Sequence, residues 1–241
     1  MTSKTLIVGA SGGIASALAT LCEKRGDEVI CVSRREQDED ARSDTVHYYT
    51  VNPQDDNAID VFVKQLQEKD VAINTAIITT GFLHNEALNI HPEKRLEDIS
   101  SEAMAEYFAV NTITPALWLK HLVKVMDKHD ATVACLSARV GSISDNKLGG
   151  WYGYRASKAA LNMTVKTASV EYKRRLKDAM LVSYHPGTVD TGLSKPFQKN
   201  VAAKKLFTPE YTASQLLKQL SSLDRDQLCH FIDYKGDVVT W

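Results

Sequence analysis

The apolar run Thr5-Leu-Ile-Val8 feeds directly into Gly9-Ala-Ser-Gly-Gly-Ile-Ala15, after which Ile14, Leu18, Leu21 and Cys22 fall on one helical stripe that stops at Gly26. This junction constrains the fold more than any other feature. A short run that is apolar at nearly every position suits a strand buried on both faces. Glycines entering a helix leave backbone N–H groups unpaired at the positive end of its dipole. Strand, glycine turn and helix in that order form an anion cradle suited to the phosphates of a dinucleotide. Gly9, Ser11, Gly12, Gly13 and Ile14 are therefore candidate cofactor-binding residues.

The alternation continues. Strands are expected at Glu28–Ser33, Val46–Val51, Val71–Thr80, Thr132–Leu136 and Met180–Tyr184, with a last one from Cys229 to Trp241 bent at Gly236-Asp237. Helical stripes lie between them: Ile59, Phe62, Val63 and Leu66; a long stretch from Glu102 to His129; Tyr152 to Leu176; and Tyr211 to Leu223. Asn111 and Pro115 interrupt the long stretch, where a proline kinks a helix and frees a backbone acceptor. Strands alternating with helices require a mainly parallel sheet covered on both faces. The expected fold is α/β: a single doubly wound Rossmann domain over residues 1–241, with a seven-stranded sheet between two helix layers. Residues 192–208 show little periodicity and have the profile of a lid over a site.

Composition narrows the function. A chain of 241 residues, 44% hydrophobic and 24% charged, can bury a substantial core. Its net charge of −1 argues against nucleic acid, whose phosphates demand a basic surplus. Cys22, Cys31, Cys135 and Cys229 are far apart, so buried thiols are expected rather than disulfides or a metal site. With no run of 18 apolar residues and no signal-peptide layout, a soluble cytoplasmic chain without a membrane partner is expected.

Tyr154 and Lys158 stand four residues apart in the stretch Trp151-Tyr-Gly-Tyr-Arg-Ala-Ser-Lys158, at the start of a long helical pattern. That spacing stacks two side chains on one helix face. An ammonium beside a phenol favours the phenolate, which would poise the tyrosine to give a proton to a carbonyl or take one from an alcohol. The second strand ends at Ser33, where a carboxylate would bind the ribose hydroxyls of NAD; Arg34 and Arg35 follow instead. An arginine there can bind a 2′-phosphate as a fork of donors, so NADP(H) is preferred over NAD(H). A carboxylate-rich stretch from Glu36 to Asp44 comes next.

Taken in order, Gly9-x-x-x-Gly13-x-Ala15, Asn111, Tyr154-x-x-x-Lys158 and Pro186-Gly187-x-Val189-x-Thr191 resemble the short-chain dehydrogenase/reductase family over essentially the whole length. The stretch Gly141 to Asn162 is similar to its C-factor-like branch and to small carbonyl reductases. The resemblance implies Tyr154 as catalytic acid/base, Lys158 as its partner on the nicotinamide ribose, and Asn111 as the residue that holds a kinked helix open for a proton-relay water. It implies cofactor contacts from Ser33, Arg34, Asn52, Thr80, Gly81, Pro186, Gly187, Val189 and Thr191. It also implies a small-molecule carbonyl or alcohol substrate, and a homodimer or homotetramer through the two long helices; Ala168, Val170 and Tyr172 fall either on such a shared face or in the ordinary core.

Three departures accompany the likeness. The third glycine is Ala15, a small change because that position serves close helix–strand packing. The family's Asn-Asn-Ala-Gly is blurred, and the register ending Ile78-Thr-Thr-Gly81 fits better than Asn74-Thr-Ala-Ile77. The family's catalytic serine aligns with Ala138, leaving Ser137 as the serine nominee, with Ser142 or Ser144 as substitutes. The expected function is an NADP(H)-dependent oxidoreductase; the alternative is a weakly or non-catalytic dinucleotide-binding sensor.

Overall fold

The computed structural model describes residues 2–35 and 43–241, so most of the acidic stretch at 36–44 lies outside the described residues. Five strands follow the pattern of apolar runs: β1 (Lys4–Val8), β2 (Glu28–Ser33), β3 (Val46–Thr50), β4 (Thr75–Ile78) and β5 (Ala131–Leu136). Two more, β6 (Ala179–His185) and β9 (Cys229–Asp233), complete a seven-stranded sheet in the order β3-β2-β1-β4-β5-β6-β9, every pairing parallel. Between β6 and β9, β7 (Thr188–Val189) and β8 (Leu206–Phe207) pair with each other. The expected doubly wound α/β architecture is the observed one.

The helices are α1 (Gly13–Arg25), α2 (Asp56–Glu68), α3 (Ser101–Phe108), α4 (Thr114–Leu122), α5 (Tyr152–Arg175) and α6 (Pro209–Ser222). One core layer packs α2, α4 and α5 on the sheet through residues such as Phe62, Trp118, Leu161 and Val165. The other packs α1 and α6 through Leu18, Cys22, Ala213 and Leu216. All four cysteines are free and buried, and among the described residues no helix is long and apolar enough to cross a membrane.

Three elements differ from the sequence reading. The stretch Glu102–His129 is two helices joined by a π turn over Ala109–Ile113, with Asn111 at its centre. Pro115 sits in the first turn of α4; it is the residue that would pair with the Asn111 carbonyl in α-helical register, and it has no N–H to give. Strand β4 is shorter than expected, and the last strand ends at Asp233. There the Asp233 carboxylate accepts the Lys235 and Asp237 N–H groups at 2.9 and 3.2 Å, turning the chain so that Val238 returns antiparallel onto Ile232.

Candidate functional site

Strand order reverses at β1, whose neighbours are β2 and β4, so the crevice beyond the carboxyl ends of β1 and β4 is the expected place for a ligand. Gly9 leaves β1 with φ +88°, and both its N–H and that of Ala10 bond to the Val32 carbonyl. A side chain at Gly9 would strike the Thr79 hydroxyl at 2.7 Å; that hydroxyl donates to the Val8 carbonyl and joins the ends of β1 and β4. Ser11, Gly12 and Gly13 are exposed, and no side chain caps α1 at Gly12. The helix therefore presents its first N–H groups outward. Gly13 packs on Thr191 and Pro209, which brings the Pro186–Thr191 turn alongside the cradle.

Gly81, three residues past β4, is a common neighbour. A Cβ built on it would lie 3.9 Å from both the Asn111 side-chain oxygen and the Lys158 Nζ, and 3.6 Å from Leu193. This supports the register ending at Gly81; Asn74 lies at the other end of the sheet, accepting the Lys4 N–H. The Thr80 hydroxyl is buried without a partner, an arrangement that a bound polar ligand would satisfy. An open glycine cradle, an orphaned hydroxyl and a lysine in one crevice fit a nicotinamide dinucleotide.

Asn111 is fully buried, and its amide is fully committed. It accepts the Phe82 N–H at 2.8 Å and donates to the Phe82 carbonyl at 2.9 Å and to Ser157 Oγ at 3.0 Å. Ser157 donates in turn to the Tyr154 carbonyl at 2.9 Å. Asn111 thus ties the loop after β4 to the helix carrying Tyr154.

Tyr154 and Lys158 lie on one face of α5, both buried, with Nζ 5.8 Å from the tyrosine ring centre. Nζ donates to the Leu136 carbonyl at 2.9 Å. Burial pushes the Tyr154 phenol above its ordinary range, and no opposing charge lowers it here, contrary to the expected lowering by Lys158. Burial also pulls the Lys158 ammonium down to about 8. Both shifts have the same physical cause, the loss of water around the charged form.

Ser137, the serine nominee, spends its hydroxyl on a residue outside the Tyr154–Lys158 pair. Its hydroxyl donates to Asn162 Oδ1 at 2.6 Å, one helical turn beyond Lys158, whereas Ala138 packs in the apolar cluster with Tyr154. Successive side chains alternate at the end of β5, so the two cannot share a side. Ser142 Oγ accepts the Asp145 N–H, and Ser144 Oγ bonds to the Trp241 carbonyl. Ser33 is buried and donates to the Arg35 carbonyl; Arg34 is exposed past β2. Asn52 is exposed beyond β3 and lines a cavity of about 470 Å³ against α2 that contains neither Tyr154 nor Lys158.

Sequence reasoning missed Glu93. It is buried, it accepts the Gly153 N–H at 3.2 and 3.3 Å, and its carbonyl accepts the Trp151 N–H. It therefore caps α5 from 60 residues away, against a Gly153 that has no room for a Cβ because the Tyr107 ring would lie 2.3 Å from it. No local signal announces a cap supplied at that separation. Thr79 and the aromatic residues around Tyr154 were missed for the same reason.

Residues 3–202 match the sequence model described as short chain dehydrogenase. The chain is 26% identical to 1-hydroxy-2-glutathionyl-2-methyl-3-butene dehydrogenase of Rhodococcus sp. (strain AD45), covering 99% of this chain and 100% of that protein. It is 31% identical to the C-signal protein of Myxococcus xanthus over 61% of this chain and 83% of that one. Among solved structures, NADPH-bound carbonyl reductase from chicken fatty liver superposes with a TM-score of 0.83 at 23% identity, covering 100% of this chain and 99% of the other.

Proposed function

The chain belongs to the short-chain dehydrogenase family, and we propose that it acts there as an NADP(H)-dependent oxidoreductase on a small carbonyl or alcohol, with Tyr154 as general acid/base. The observation that carries this reading is the convergence of Gly81, Asn111 and Lys158 on one crevice, with Tyr154 one turn before Lys158 on α5. The dehydrogenase relative and the NADPH-bound carbonyl reductase fold support the same chemistry.

A bound NADPH supplies the hydride. Gly9, Ser11, Gly12, Gly13 and Ile14 would hold the pyrophosphate at the start of α1, and the exposed Arg34 would take the 2′-phosphate in place of a carboxylate. Thr80, Gly81 and the Pro186–Thr191 turn would flank the nicotinamide half. Tyr154, kept protonated by burial, is suited to donate its proton to the carbonyl oxygen in the reducing direction. Lys158 can replace that proton, its own affinity having been lowered toward neutrality. With Ala138 where a second donor would stand, Tyr154 carries the proton transfer without it.

The purified protein should oxidise NADPH with a member of an aldehyde and ketone panel, and Tyr154→Phe should abolish this. In the same assay Arg34→Ala should weaken NADPH far more than NADH. NADPH binding without turnover on any carbonyl would leave the sensor reading standing instead.

A further inference from the structure

The half-buried Arg155 follows Tyr154 directly, and its guanidinium is spent on carbonyls rather than on a carboxylate. Nε donates to the Gly150 carbonyl at 2.9 Å, Nη2 to that of Gly149 at 3.1 Å and Nη1 to that of Val140 at 3.4 Å. Those carbonyls stand at the two ends of one loop. Val140 lies in the 3-10 turn Arg139–Gly141 that follows β5, and Gly149 and Gly150 lead into α5. A planar fork with donors in fixed directions suits several carbonyls at once, as a compact ammonium does not.

Both ends of that loop meet the Tyr154–Lys158 pair. Val140 and Trp151 pack on the apolar cluster that contains Tyr154 and Ala138, and the Trp151 ring lies edge-on to the Tyr154 ring at 6.1 Å. Gly141 rests so closely on Lys158 that a Cβ there would lie 2.8 Å from the lysine's carbonyl carbon. The exit from the loop is held at a conformational cost. Gly149, Gly150 and Trp151 are consecutive left-handed residues, with φ +66°, +65° and +55°. A bulky residue in that region is an outlier that persists only when its surroundings over-determine it. The Glu93 carbonyl takes the Trp151 N–H, and Arg155 holds the two carbonyls before it.

We propose that Arg155 is a positioning residue for the proton transfer: its guanidinium holds the left-handed turn closed, so that Trp151 and Val140 fix the Tyr154 ring in the orientation that reaches the substrate oxygen. The inference rests on the oxidoreductase reading above. Arg155 acts here through geometry and not through charge. Burial is what raises the Tyr154 phenol, and the neighbouring cation has no share in it. A reacting group displaced by about 1 Å can cost about a hundredfold in rate, so a loosened ring is enough to slow turnover.

The test compares wild type, Arg155→Lys, Trp151→Asn and the double variant, with NADPH and whichever aldehyde or ketone of the panel above wild type reduces fastest. Arg155→Lys keeps the charge and loses the fork. It should lower kcat by about tenfold to about a hundredfold, with NADPH affinity and the position of the pH profile unchanged. Asparagine tolerates the left-handed backbone, so Trp151→Asn removes the ring through which Arg155 acts without adding strain. In that background Arg155→Lys should cost no more than about a further threefold, the non-additivity of two residues that work as one. Wild-type kcat in Arg155→Lys, or the same loss in both backgrounds, would overturn the positioning role alone. An Arg155→Lys protein that fails to fold, or whose NADPH affinity falls with its kcat, would assign the fork to general stability and overturn it too. Wild type that binds NADPH and reduces nothing in the panel would overturn the oxidoreductase reading, and this role with it.

Discussion

At the scale of single residues, burial does most of the chemistry at this site. It acts in opposite senses on Tyr154 and Lys158, strengthening the phenol's hold on its proton and weakening that of the ammonium. With Lys158 near 8, its charge is present below that pH and is lost as the pH rises through it. Reductive kcat/KM should therefore decline above about pH 8, and Lys158→Arg, which stays charged at any accessible pH, should run slower but without that decline. A rate profile flat from about pH 7 to about pH 10 in wild type would exclude Lys158 as the titrating group. Tyr154 and Lys158 were legible because their spacing is a helical period. The orientation of Ser137 was not legible, since only the packed end of β5 shows its hydroxyl meeting Asn162 and leaving the Tyr154 side to Ala138.

At the scale of elements, α5 depends on a cap that its own sequence lacks. Trp151 offers no side-chain oxygen, and Glu93 takes the Gly153 N–H from a loop that leads toward α3. Replacing Glu93 by alanine leaves that N–H buried and unpaired, a loss of about 1–3 kcal/mol measurable by urea unfolding. Glu93→Gln keeps an acceptor and should lose less; equal losses for the two would mean that the carboxylate's charge, rather than the bond, holds the helix. The π turn before α4 shows the opposite situation. Asn111 and Pro115 were readable as an interruption, but a kink at the proline and a π turn around the asparagine give the same sequence signal. The bonds from Asn111 to Phe82 and Ser157 decide between them.

For the whole molecule, α4 and α5 leave a groove of about 440 Å³ lined by Leu119, Met163, Thr167 and Ala168. Met163 is 67% exposed and Val170 42%, whereas Tyr172 takes the core alternative and donates to the Leu119 carbonyl. Met163 and Val170 stand seven residues apart and so share one exposed face of α5. We propose a second copy of this chain there, as the family resemblance implies. Light scattering should then give at least twice the chain mass, and Met163→Glu should reduce it toward one chain; a wild type already at one chain mass would rule this out.

The periodicities of this sequence determined the sheet, its two helix layers and the glycine cradle, because burial on two faces and a phosphate-sized turn leave a local trace at fixed spacing. They also singled out Tyr154, Lys158 and Asn111. Only the tertiary structure decided where Asn111 spends its amide, that Glu93 caps α5 and that the Trp151 and Phe197 rings meet. Those are contacts between segments tens of residues apart, and packing brings them together with no repeat along the chain to announce them.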